Sequence, residues 1–263
     1  MIFAVILAGG IGSRMGGTDT PKQFLTLGDK PVIIHTIEKF VINSKFDKII
    51  VLSPKSFINH TNNLIKEYFG EEDRIIILEG GETRNDTIMN SIVYISENFD
   101  IDDDSIIVTH DSVRPFVTHR IIEDNIKAAK EFGACDTVIP ATDTIVESID
   151  GEKIKNIPIR DNYYQGQTPQ SFKINKLSKL INSLSDEETN ILTDACKIFV
   201  LKGEDVHLVD GEITNIKITY PYDLKLANTI LKLQKNLVHV ILLFRQQTLL
   251  LKVLMVRQLK IFR

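Results

Sequence analysis

The chain has 263 residues, 43% hydrophobic and 25% charged, with a formal net charge of −4. That length bounds it to one large α/β domain or two small ones, and the composition is that of a soluble folded protein rather than a disordered one. The acidic balance argues against a nucleic-acid binder, and residues 1–230 hold no apolar run of the ~20 residues a membrane span needs. Cys135 and Cys196 lack CxxC spacing and read as buried, reduced thiols of a cytoplasmic protein.

The opening MIFAVIL has no basic flank and ends in glycines, so it reads as a strand and not an export signal. β-Branched runs predict strands at Phe3–Leu7, Lys48–Leu52, Ile75–Glu79, Ser105–Thr109 and Thr137–Pro140. Between them, helical periodicity covers Pro31–Val41, Phe57–Phe69, Arg84–Ile95 and Arg120–Phe132. Strands alternating with helices imply an α/β fold with a mostly parallel sheet. From Ala141 the pattern changes to strand-like runs around Asp150-Gly151, a hairpin arm over about 141–165. A helix near Ile174–Leu184, a helix or strand at Ala195–Leu201, a strand at Glu212–Thr219 and a helix at Pro221–Leu233 follow. Residues 232–263 carry seven Lys/Arg and no acid. They could form a basic helix docking on a membrane or partner, or a tail with no evolved role; apolar residues on every side of such a helix favour the second.

The stretch AVILAGGIGSRMGGTDTPKQF fails the P-loop pattern, since no Lys follows Gly16 or Gly17, and fails GxGxxG at its third glycine. Its physical signal remains. A strand runs into glycines whose backbone N–H groups can converge on an anion, with Arg14 and Lys22 close in sequence. Alone, that loop could merely turn the chain. GGETRNDT (80–87) and THDSVRPF (109–116) also follow predicted strands, however, and carboxyl ends of parallel strands share one crevice.

LAGGIGSRMGGTDTPKQFL, GGETRNDT, HDSVRPF, DTIVES, YQGQTPQSF, LTDACKIF and NIKIT-x3-DL together resemble the cytidylyltransferases that act on sugar or polyol phosphates, over Met1 to about Leu231. The resemblance implies a Rossmann-like nucleotidyltransferase, with helices on both sheet faces and a β-arm used for homodimerisation. It makes 1–231 the catalytic domain and leaves 232–263 outside. HDSVRPF, YQGQTPQ and LTDACKIF look more like the ribitol-phosphate branch than the methylerythritol-phosphate branch, which has HDAARP at the first place. CTP and D-ribitol 5-phosphate are therefore the implied substrates, with CDP-ribitol feeding teichoic acid or capsule polymers. Methylerythritol 4-phosphate, or a non-catalytic nucleotide-binding module, are the alternatives.

Carried over residue by residue, the resemblance makes Arg14 and Lys22 the stabilisers of the transferring phosphoryl group. The loop Leu7, Ala8, Gly9, Gly10 and Gly12 would cradle the triphosphate, and Gly81, Glu82, Arg84, Thr87 and Ser112 would hold the nucleoside. Asp111 would bind Mg²⁺ or another divalent cation. Arg160, Lys217, Thr144 and Thr168 would hold the acceptor, with Thr144 and Arg160 reaching a neighbouring subunit's site. His110 reads as structural, because no second His lies at ligand spacing. Thr214 stands where relatives often have an acid, leaving Asp223 as a weak second metal candidate or a helix cap.

Overall fold

The structure, a computed structural model, describes residues 1–10, 20–190, 192 and 194–237. Strand β1 (Ile2–Leu7) precedes a small antiparallel ribbon of β2 (Thr26–Leu27) and β3 (Lys30–Pro31), and α1 (Val32–Val41). Then β4 (Lys48–Ser53), α2 (Ile58–Phe69), β5 (Ile75–Glu79), α3 (Arg84–Asn98), β6 (Ile106–Asp111), α4 (His119–Phe132) and β7 (Ala134–Pro140) alternate. They are followed by β8 (Tyr164–Lys173), α5 (Ile174–Asn182), α6 (Asp186–Asn190), α7 (Ala195–Leu201) and β9 (His207–Asp210), and residues 221–237 are helical.

The main sheet has the order β5-β4-β1-β6-β8-β7-β9. Its neighbours are parallel except where β8 runs antiparallel to both β6 and β7. Chain order reverses at β1, with β4 on one side and β6 on the other, so a crevice opens at their carboxyl ends, where Leu7 lies beside Asp111.

Period-two alternation explains the two cores. Ala4 and Ile6 of β1 face Ile33, Ile37 and Phe40 of α1 and Ile122 of α4, while Phe3 and Val5 face Ile88, Ile92 and Ile95 of α3 and Phe199 of α7. Helix starts follow local chemistry: α3 opens with a capping box between Thr83 and Asp86, and α4 with the Thr118 hydroxyl accepting from the Ile121 N–H.

The strand expected at Glu212–Thr219 does not form; the sheet takes His207–Asp210 instead. After Gly211, whose N–H still bonds to Val138 O (2.8 Å), the chain leaves the sheet. Ile218 N–H then bonds to Val113 O (2.9 Å) in the loop after β6, and Ile218 packs there with Val113, Phe116 and Ala227. The apolar alternation thus reflects a segment laid across a loop, which periodicity cannot distinguish from a strand edge. The arm is shorter than expected in one respect: Tyr164 and Gln165 already belong to β8, inside the sheet. Among the described residues, 141–163 carry one isolated antiparallel bridge, Glu147 to Asn156, closed by the Asp150-Gly151 turn (Gly151 φ +75°). Ala195–Leu201 is a helix, capped by Asp194 accepting from the Lys197 N–H (3.0 Å).

Candidate active site

Loops following β1, β5 and β6 converge on one cleft, lined by residues 7–10, Lys22, Gly81, Glu82, Arg84, Thr87, Asp111, Ser112 and Lys217. Their approach explains two glycines. A Cβ on Gly80 would stand 3.1 Å from the Gly9 Cα, and one on Gly81 would stand 2.3 Å from the Asp86 Cβ. The Thr87 hydroxyl, almost fully buried, donates to Thr83 O (2.8 Å) and accepts from Gly81 N–H (3.0 Å), tying the second loop to α3.

The short helical turn Lys22–Phe24 sets Lys22 on the cleft wall and turns Gln23 inward. The Gln23 amide donates to Ala8 O (2.7 Å) and Gly10 O (3.0 Å), clamping the start of the glycine loop. Sequence reasoning passed over Gln23, and no local signal marks it, because its partners Ala8 O and Gly10 O come from a separate segment of the chain. Arg14 and Gly12 lie outside the described residues.

Asp111 is the electrostatic centre. Lys217 Nζ is 2.8 Å from Oδ2, Arg114 Nε 3.6 Å from Oδ2, and Arg84 Nε 3.6 Å from Oδ1. Burial pushes this carboxyl up, but the charges of Arg84, Lys217 and Arg114 together outweigh it and hold it well below the usual carboxylate range. Lys217 reaches it because the preceding Asn215 is anchored. The Asn215 amide donates to Gln167 Oε1 (3.1 Å) and Thr168 O (2.9 Å), and its carbonyl accepts from Arg114 Nη1 (2.7 Å). Arg114 was another residue not singled out from the sequence.

Thr168, expected at the acceptor, is buried under Asp111. Its hydroxyl accepts from the Asp111 N–H (3.2 Å) and donates to His110 Nδ1 (3.0 Å), so it braces the strand end; the other ring nitrogen, Nε2, donates to Arg114 O (3.1 Å). Burial drives the His110 pKa down to about 4, with the Arg114 carbonyl offsetting part of that. In an unfolded chain a histidine takes a proton at about pH 6.5, before the folded state does. Stability is therefore lost as pH falls from about 6.5 to about 4, by ~3 kcal/mol. His110→Asn should reduce the loss between pH 7 and 4.5, measured by urea unfolding in metal-free buffer, by about 2–3 kcal/mol. Equal losses in both proteins would show that the ring does not stay neutral.

Thr144 and Arg160 stand on the arm, exposed and away from this cleft, where Arg160 Nη1 donates to Thr142 O (3.1 Å). Asp223 caps the helix over 221–237, accepting from the Thr219 and Tyr220 N–H groups (both 2.8 Å), which accounts for it without a metal. Among the described residues no group of three His, Cys, Asp or Glu could hold a metal. One buried, ionised carboxylate facing the cleft still suits Mg²⁺, which takes most of its ligands from phosphate and water. No described helix is long and apolar enough to cross a membrane.

A mostly parallel sheet whose strand-end loops gather a glycine turn, one buried carboxylate and several cations defines a nucleotidyltransferase-type protein. Residues 2–233 match the family model of IspD, 2-C-methyl-D-erythritol 4-phosphate cytidylyltransferase, and the chain belongs to that family of CTP-dependent enzymes. Similar solved structures include the 4-diphosphocytidyl-2C-methyl-D-erythritol synthase of Anaerococcus prevotii, 27% identical over 88% of this chain and 96% of that one, with TM-score 0.72. The IspD of Francisella tularensis is 28% identical over 86% and 98%, with TM-score 0.72. The 2-C-methyl-D-erythritol 4-phosphate cytidylyltransferase of Thermus thermophilus is 25% identical over 87% and 98%, with TM-score 0.66.

Proposed function

We propose that the chain transfers a cytidylyl group from CTP to D-ribitol 5-phosphate, releasing pyrophosphate and giving CDP-ribitol for teichoic acid or capsule polymers. What carries the transfer chemistry is the set of cations around Asp111, in the same cleft as Lys22 and the glycine loop. A phosphate oxygen of the acceptor bonds to the α-phosphorus of CTP while the bond to the bridging oxygen breaks, its electron pair leaving with pyrophosphate. The nucleophile is already an anion, so no general base is needed and catalysis is positioning plus charge neutralisation.

In this reading the backbone of residues 7–12 cradles the triphosphate, and Arg14 and Lys22 neutralise the charge that builds on the α-phosphoryl group and the leaving pyrophosphate. Gly81, Glu82, Arg84, Thr87 and Ser112 hold the nucleoside. Asp111 holds Mg²⁺, which when bound neutralises phosphate charge. Lys217 holds the acceptor's phosphate, and Thr168 serves it indirectly by bracing Asp111. Arg160 and Thr144 act in the cleft of a second copy. Exposed Val146, Ile149, Ile154, Ile157 and Ile159 support a homodimer in which the arm, here unpartnered, packs on that copy. The catalytic unit is 1–231, with 232–263 dispensable for it.

The ribitol assignment rests on HDSVRPF, YQGQTPQ and LTDACKIF; methylerythritol 4-phosphate is the second reading, favoured by the names of the similar solved structures. Pyrophosphate release from CTP and Mg²⁺ should be at least about tenfold faster, in kcat/KM, with ribitol 5-phosphate than with methylerythritol 4-phosphate. Turnover of methylerythritol 4-phosphate alone would overturn the acceptor, and CTP binding without turnover of either would leave a nucleotide-binding module.

A further inference from the structure

Arg84 is held from behind by two residues that do not line the cleft. Gln170 of β8 lies opposite Thr109 of β6 on one side and opposite Asp136 of β7 on the other, so three side chains share the sheet face beneath α3. Gln170 is 3% exposed. Its Oε1 accepts from Arg84 Nη2 (3.0 Å), and its Nε2 donates to Asp136 Oδ1 (3.0 Å). A cation at one end and a carboxylate at the other permit a single amide orientation. Arg84 is thereby shared between two acids: Asp111, 3.6 Å from its Nε, and Asp136 through the amide. Its Nη1 is buried and has no protein partner among the described residues.

We infer that Asp136 and Gln170 are positioning residues for Arg84, the amide passing the negative charge of Asp136 to the guanidinium and keeping it from collapsing onto Asp111. The inference rests on reading Arg84 as a nucleotide-binding residue. Asp136 forms no direct ion pair among the described residues, and a purely structural role at this place would be served better by a neutral side chain. Burial, and the charge of Asp194 at the start of α7, push the Asp136 carboxyl up to about 6, while Gln170, Arg84 and the Thr137 N–H pull it down. The buried Cys196 and Cys135 thiols, both held protonated chiefly by burial, and the Arg114 guanidinium also lie within the field of this carboxylate. The relayed charge is therefore present at neutral pH and lost in mild acid.

Asp136→Asn keeps the shape and the accepting oxygen but removes the charge; Gln170→Leu removes the bridge. Calorimetry with CTP and Mg²⁺ should show Asp136→Asn binding about tenfold more weakly than wild type near pH 8, the ratio shrinking towards one near pH 5. Titration of CTP itself cancels in that ratio. Gln170→Leu should weaken binding by a similar factor near pH 8, and adding Asp136→Asn to it should cost nothing further, since both changes cut one chain of contacts. A pH-independent ratio, or additive losses in the double variant, would overturn the relay. Wild-type protein that binds no CTP at any pH would instead overturn the nucleotide reading on which the relay depends.

Discussion

Asp111→Asn should lower pyrophosphate release on the order of 10³-fold, the largest single effect expected in this protein. The carboxylate has two tasks. On the proposed reading it is the buried acid that would hold Mg²⁺, and it is the counter-charge that lets Arg84, Arg114 and Lys217 stand together. Without it three cations face one another; Lys217 can turn to solvent, but Arg114 is 9% exposed and cannot. A stability loss of about 1–3 kcal/mol should accompany the loss of activity, less than for a fully buried pair because of that relaxation. Single-turnover assays and thermal melts on the same preparations separate the two. Retention of more than about a tenth of wild-type activity would remove Asp111 from the chemistry. Because its carboxyl is held below the usual range, its contribution to stability is in place above about pH 4 and is lost only at lower pH.

Lys22→Ala should reduce kcat by about 10²–10³ while changing CTP affinity only a few-fold. The reason, on the proposed reading, is where charge develops: the α-phosphoryl group and the departing pyrophosphate become more negative in the transition state than in bound CTP, so a cation between them would act mainly on the rate. The lysine is delivered by the turn Lys22–Phe24, whose next residue, Gln23, bonds to Ala8 O and Gly10 O and so ties the turn to the start of the glycine loop. The check is kcat from pyrophosphate release against Kd from calorimetry. Equal losses in both would mean that Lys22 binds ground state and transition state alike, and the stabiliser would have to be sought elsewhere in the loop.

Much of this protein was determined by its sequence alone, wherever the physics is local. β-Branched runs produced β1, β4, β5 and β6, and helical spacing produced α1 to α4. Glycine turns and charges directly after those strands were enough to point to one crevice, because parallel strands end on the same side. Tertiary structure decided the rest. Whether Tyr164–Lys173 is an arm or a central strand depends on β6 and β7 being available on either side; whether 212–219 pairs depends on what its N–H groups meet. The same holds for side chains. Lys217 on Asp111, Thr168 beneath it, Gln23 under the glycine loop and Gln170 between Arg84 and Asp136 are contacts between distant segments. Propensity and periodicity are properties of neighbours along the chain, whereas a buried polar group finds its partner only once the backbone has brought that partner within about 3 Å.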